Sequence, residues 1–148
     1  MPTSLLATDG YKFSMAEAGW PLRRETFYYS HRKGGVQLLP FDIALELKGL
    51  LPTPRPSDYE YLALHGYEMG AGYRAAMLQQ SELVIQALPR GTVFYEREPL
   101  FSVTGPSALV SFLEPLLLQW SFRIQVATAA RFAPETLAEA VKVVTCEQ

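Results

Sequence analysis

Apolar and polar positions along this chain change period several times, and each change predicts an element. Behind a cap at Thr8 or Asp9, Phe13, Ala16 and Trp20 recur at helical spacing and predict a short helix ending at Gly19. Trp20-Pro21 stops it, because the residue before a proline disfavours the α region. Residues 25–30 are aromatic and β-branched and predict a strand, closed by a turn at Gly34-Gly35. Residues 41–50 read as an amphipathic helix with Phe41, Leu45 and Lys48 or Gly49 along one stripe. Pro52, Pro54 and Pro56 form a stiff connection. Ser57 then caps a helix over 58–65 that Gly66 ends, and a further helix covers 71–80.

Past residue 82 the texture turns to short strands. Residues 83–88, 91–95 and 99–103 predict a three-strand meander, with turns at Pro89-Arg90-Gly91 and at Glu96-Arg97-Glu98-Pro99. Pro106 at a first helical position opens a long helix toward Arg131, bent at Pro115. In it Leu109, Phe112, Leu113, Leu116, Leu117 and Trp120 form a core stripe. Ala133-Pro134 breaks that helix, and 135–143 is a last amphipathic piece. The sum predicts an α+β fold with helices on one face of a small sheet.

Composition narrows the classes. The 148 residues suit one domain, and 49% hydrophobic against 19% charged residues supports a real core. The formal charge of −2 argues against a general nucleic-acid binder or a binder of anionic membranes. A single cysteine, Cys146, excludes an intrachain disulfide, and no signal peptide or bilayer-length apolar run is visible. A cytoplasmic protein is expected. Locally the charge differs: residues 23–33 hold Arg23, Arg24, Arg32 and Lys33, four of the 13 cations, against one acid, Glu25.

That local excess points to candidate chemistry. Tyr11, at a helix start, suits stacking on a flat heteroaromatic ring, or else it covers the core edge. Asp9 either orients a ligand or caps the helix. Arg32 offers a bidentate fork for phosphate oxygens and Lys33 a compact charge, ahead of two glycines whose amides can approach an anion; the alternative is a solvated basic turn. His31 is a phosphate donor or a structural strand-end residue. No metal set is expected, since His31 and His65 lie far apart in sequence and Cys146 has no partner. No dinucleotide fingerprint, Walker loop or nucleophile elbow occurs.

Taken in order, these segments resemble the N-terminal part of the nicotinate phosphoribosyltransferase family, type II phosphoribosyltransferases. The first is Thr8-Asp9-Gly10-Tyr11-Lys12-Phe13-Ser14-Met15, the second Tyr28-Tyr29-Ser30-His31-Arg32-Lys33-Gly34-Gly35. The third is Pro89-Arg90-Gly91-Thr92-Val93-Phe94 followed by Glu98-Pro99-Leu100-Phe101-Ser102-Val103-Thr104-Gly105-Pro106. Leu113-Glu114 and Gln125-Val126-Ala127-Thr128-Ala129-Ala130-Arg131 complete the series.

The resemblance implies an N-terminal α/β sandwich-type domain over 1–131. Residues 132–148 would be a helical extension or the start of an α/β barrel that this chain lacks. It implies transfer of the phosphoribosyl group from phosphoribosyl pyrophosphate to nicotinate, giving nicotinate mononucleotide for NAD synthesis. Nicotinate-specific members couple this to ATP, with Mg, through a phosphorylated histidine of the barrel, a role placed on neither His31 nor His65. Dimers share sites, so Tyr11 would stack on the pyridine ring of a ligand in the partner subunit. Arg32 and Lys33 would hold phosphates and Asp9 would support them. No catalytic residue and no bound cofactor is assigned to this chain alone. A homo-oligomer and a barrel-bearing chain or domain are the expected partners, with no nucleic acid and no membrane. A nicotinamide-using relative, or a non-catalytic ligand-binding or dimerisation remnant, stands as the alternative.

Overall fold

The computed structural model describes residues 3–138. Along it run α1 (Gly10–Ala18), β1 (Arg24–Tyr29), β2 (Gln37–Leu38), α2 (Ile43–Leu50), α3 (Pro56–Leu64), α4 (Ala71–Leu78), β3 (Val84–Ala87), β4 (Val93–Phe94), β5 (Phe101–Pro106) and α5 (Ser107–Phe132). Residues 134–138 are helical again; the remainder of the helix expected over 135–143 lies outside the described residues. Helices and two small antiparallel sheets make the class α+β, as the sequence pattern predicts.

The sheets differ from the expected meander. The larger has the order β1-β5-β3, with Tyr29 opposite Phe101 on one side of β5 and Ala87 opposite Phe101 on the other. Strand β4 leaves its neighbours in sequence and pairs with β2, Gln37 opposite Phe94. The cause is local. Pro89 has no amide to extend the β3 ladder, and Gly91, at φ 87°, turns the chain toward Leu39, whose carbonyl accepts from the Gly91 amide at 2.8 Å and whose amide donates to the Thr92 carbonyl at 2.9 Å.

Several helix faces also move. Asp42 caps α2, its carboxylate accepting from the Leu45 amide at 2.9 Å, and a helix that starts there turns Ile43 and Leu47 inward and Leu45 out to solvent. Phe41 is buried ahead of the helix, against Trp120. Helix α3 starts with Pro56 at its first position, and Asp58, not Ser57, reaches back to the Arg55 amide at 2.9 Å. Trp20 leaves the α region but enters the left-handed one, φ 66°, and its exposed ring does not join Phe13 and Ala16. Pro106 ends β5, so α5 begins at Ser107.

Helix α5 is the centre of the molecule. Leu109, Phe112, Leu113, Trp120 and Ile124 are buried along it, and it packs on α1, α4, both β1 and β5, and β2. Burying such side chains contributes on the order of 1.5–3 kcal/mol each. The helix runs through Pro115, which cannot donate to the ladder and crowds the preceding turn. In that turn the Thr8 hydroxyl donates to the Phe112 carbonyl at 3.1 Å, so the entry to α1 is tied to the interrupted part of α5. Together with the packing of α1 on α5, that bond sets α1 along the groove where the candidate site lies.

Candidate functional site

Helix α1 buries Lys12, Phe13 and Ala16, which leaves Tyr11 and Met15 half-exposed on its outer side. The Lys12 ammonium is buried and bonds the Glu114 carboxylate of α5. It lies 4.8 Å from the centre of the Tyr11 ring. Burial opposes its charge, but the Glu114 carboxylate and Tyr11 outweigh that and hold the Lys12 pKa above the ordinary lysine value. Asp9 occupies the cap position of α1 with its carboxylate making no cap bond, and the Asp9 carbonyl accepts from the Lys12 amide at 2.9 Å.

Strand β1 is anchored at its start. The Glu25 carboxylate accepts from the Ser107 hydroxyl at 2.7 Å and pairs with Arg23, which together lower its pKa. Alternation turns Tyr29 inward, stacked on Phe101 at 5.3 Å between ring centres, and Tyr28 outward. The Tyr29 hydroxyl meets Ser121 of α5, and burial raises its pKa. His31 is buried edge-on to the Tyr29 and Phe94 rings, and its carbonyl accepts from the Arg97 amide at 2.7 Å. Arg32 and Lys33 then stand exposed, before Gly34 at φ 120° and Gly35 at φ 60°.

Between α1, β1 and α5 lies an open groove of about 590 Å³. Lys12, Arg32 and Glu114 supply its charges; Met15, Tyr28 and Leu118 supply apolar surface. With Lys12 already paired to Glu114, Arg32 is the groove cation that suits an anionic group, and the exposed rings beside it suit a flat apolar part. Of the four residues picked from the sequence, Arg32 lines this groove. Tyr11 sits next to it through Lys12. Asp9, Tyr11 and Lys33 are not part of its lining.

Lys12 and Glu114 are the residues that sequence reasoning passed over. A usable signal existed: Glu114 is the one acid in the 26 residues of α5, and a charge in an apolar helix calls for a partner. His65 caps the C-terminal end of α3, its Nδ1 2.8 Å from the Tyr61 carbonyl, and is not part of the groove lining. Among the described residues no group of three or more His, Cys, Asp or Glu is placed to hold a metal ion, and no helix is long and apolar enough to cross a membrane.

Fold and groove together define an α+β domain that offers cations and aromatic rings along one side of its long helix. No protein-family model and no curated protein matches the sequence. Among solved structures the chain is similar to human nicotinic acid phosphoribosyltransferase, with 26% sequence identity and a TM-score of 0.64. The likeness covers 84% of this chain and 27% of that one, so this chain spans about a quarter of its length. It supports the family resemblance carried by the sequence segments, and the α+β class with it.

Proposed function

We propose that this chain is the N-terminal part of an enzyme of NAD synthesis that joins nicotinate to phosphoribosyl pyrophosphate, giving nicotinate mononucleotide and pyrophosphate. The structural likeness to human nicotinic acid phosphoribosyltransferase, at 26% identity over 84% of the chain, carries this reading. The groove supports it by placing Arg32 on the same open surface as the exposed Tyr28 ring. Arg32 and Lys33 hold phosphate oxygens, Tyr11 stacks on the pyridine ring of a ligand shared with a partner subunit, and Asp9 supports them. A barrel-bearing domain or chain supplies the rest of the site, together with the ATP coupling and the Mg that accompany phosphoribosyl pyrophosphate.

The reaction needs what these side chains offer. Breaking the bond from ribose to pyrophosphate builds positive charge on the sugar and negative charge on the leaving group. Fixed cations at the phosphates and a ring that orients the pyridine act by position and electrostatics. Incubating the full-length protein with nicotinate, phosphoribosyl pyrophosphate and ATP should yield nicotinate mononucleotide by mass spectrometry. Arg32→Ala should lower the rate about 100-fold, the size seen when one preorganised charge-stabilising donor is removed. Turnover of nicotinamide instead would move the reading to the sister activity, and turnover of neither would overturn it.

A further inference from the structure

The turn that carries Arg32 and Lys33 rests on two side chains that the proposed reaction leaves unused. Gln37 is 2% exposed and His31 5% exposed. Gln37 Nε2 donates to the Lys33 carbonyl at 3.1 Å. Gln37 Oε1 and His31 Nε2 are buried with no partner in hydrogen-bond geometry, although the Gln37 amide lies near enough to His31 to offset part of the effect of its burial. Gly34 packs so closely on the Gln37 amide that a Cβ there would collide with it, whereas Gly35 opens to free space. Neither glycine amide donates a backbone hydrogen bond among the described residues.

The geometry points to Gln37 as the positioning residue of an anion cradle formed by the Arg32 and Lys33 side chains and the Gly34 amide. In a planar trans peptide the carbonyl and the following N–H point in opposite directions. Holding the Lys33 carbonyl inward on Gln37 therefore turns the Gly34 N–H outward, away from Gln37, at the exposed turn that carries Arg32 and Lys33. Successive left-handed glycines make such a concave donor set possible at little steric cost. The ligand class is a phosphate or pyrophosphate group. This rests on the proposed phosphate role of Arg32, and extends it to the backbone and to the residue beneath.

Pyrophosphate is the probe, titrated into the full-length protein with calorimetry and with ¹⁵N amide shifts as readouts. The wild type should bind it, moving the Gly34 amide, and Arg32→Ala should lose at least 10-fold in affinity. Gln37→Met keeps the volume but not the donor. It should weaken binding 5- to 10-fold and erase the Gly34 shift while leaving the melting temperature unchanged. Gly34→Ala sets a Cβ against the Gln37 amide at a positive φ, so it disturbs the same amide and should weaken binding to a similar extent with some loss of melting temperature; a Gln37 variant that fails to fold therefore does not protect the idea. Wild-type affinity in folded Gln37→Met or in Gly34→Ala overturns the positioning role alone. Absent binding by the wild type, or binding that Arg32→Ala leaves intact, overturns the phosphate role and this inference with it.

Discussion

The two partners of the Lys12–Glu114 pair are unequally buried, 6% against 47% exposed, and that inequality decides what each substitution does. Glu114→Ala leaves an ammonium in the interior with no counter-charge and should destabilise by about 3 kcal/mol. Lys12→Met fills the same space with apolar atoms and leaves a carboxylate that water solvates, so it should cost about 1 kcal/mol or less. Urea midpoints of the two variants at pH 7 check the order; equal losses would mean that water reaches the ammonium. His31 has the opposite electrostatics. Burial depresses its pKa, partly offset by the neighbouring Gln37 amide, and the Tyr29 and Phe94 rings around it are neutral at this pH. Folding thus favours the neutral imidazole: its contribution is present above the ordinary histidine value of about 6.5 and is lost as pH falls below that. Stability should fall between pH 7 and 5 with a slope of at most about 1.4 kcal/mol per unit from this residue. His31→Phe should flatten the slope, and an unchanged slope would show that the ring is solvated. Glu25, and Glu46 through the Arg123 guanidinium 2.6 Å from its carboxylate, both have lowered pKa values and lose their contributions further down, as pH falls below the ordinary carboxylate value.

Among the helices, the cap of α3 is the place where local chemistry is most open to test. Asp58 bonds the Arg55 amide, so Asp58→Ala should cost about 1 kcal/mol, while Ser57→Ala should stay within about 0.5 kcal/mol. Chemical denaturation of both decides which residue starts the helix. The sequence pattern had pointed to Ser57, and the error shows what a pattern of hydrophobic positions can carry. Long or strongly punctuated elements were legible: α1 between Asp9 and Gly19, β1, the core stripe of α5, and the αβ texture that makes the class. Faces of short helices were not. The pattern over 41–50 put Phe41 and Leu45 on one stripe, whereas α2 starts at Ile43 behind the Asp42 cap and buries Ile43 and Leu47, and only tertiary contact selects between the two stripes of so short a helix. Strand pairing was equally out of reach, because β4 is two residues long and its partner β2 lies more than 50 positions earlier. The site divides the same way. Arg32 was legible as a cation ahead of two glycines, whereas the pairing of Lys12 with Glu114 spans 102 positions and required the packing of α1 on α5.

At the scale of the whole molecule, the outer stripe of α5 is the surface on which association can be tested. Glu114, Leu118 and Phe122 follow one another at four-residue spacing, so they share a face, and Leu118 and Phe122 are 59% and 71% exposed. Tyr28 and Met15 stand beside Leu118 around the groove, so the apolar surface continues from α5 onto β1 and α1. Isolated apolar side chains at a surface are ordinary; a run joined across three elements is a surface for association. The chain of 148 residues should therefore self-associate in a concentration-dependent way, visible as a rise in weight-average sedimentation coefficient between micromolar and higher loading. Replacing Leu118 and Phe122 together by lysine should shift the population toward monomer. Because both side chains already face solvent, the melting temperature measured at low concentration should change little, in keeping with surface substitutions of about ±0.5 kcal/mol. The two measurements separate the causes: loss of association with retained stability assigns the contact to this stripe, while a wild-type chain that stays monomeric at every concentration removes it. The same variant also bears on the groove, whose wall Leu118 forms. If pyrophosphate binding survives in the double variant while association is lost, the anion cradle at Arg32 and the apolar stripe of α5 are independent surfaces of one domain.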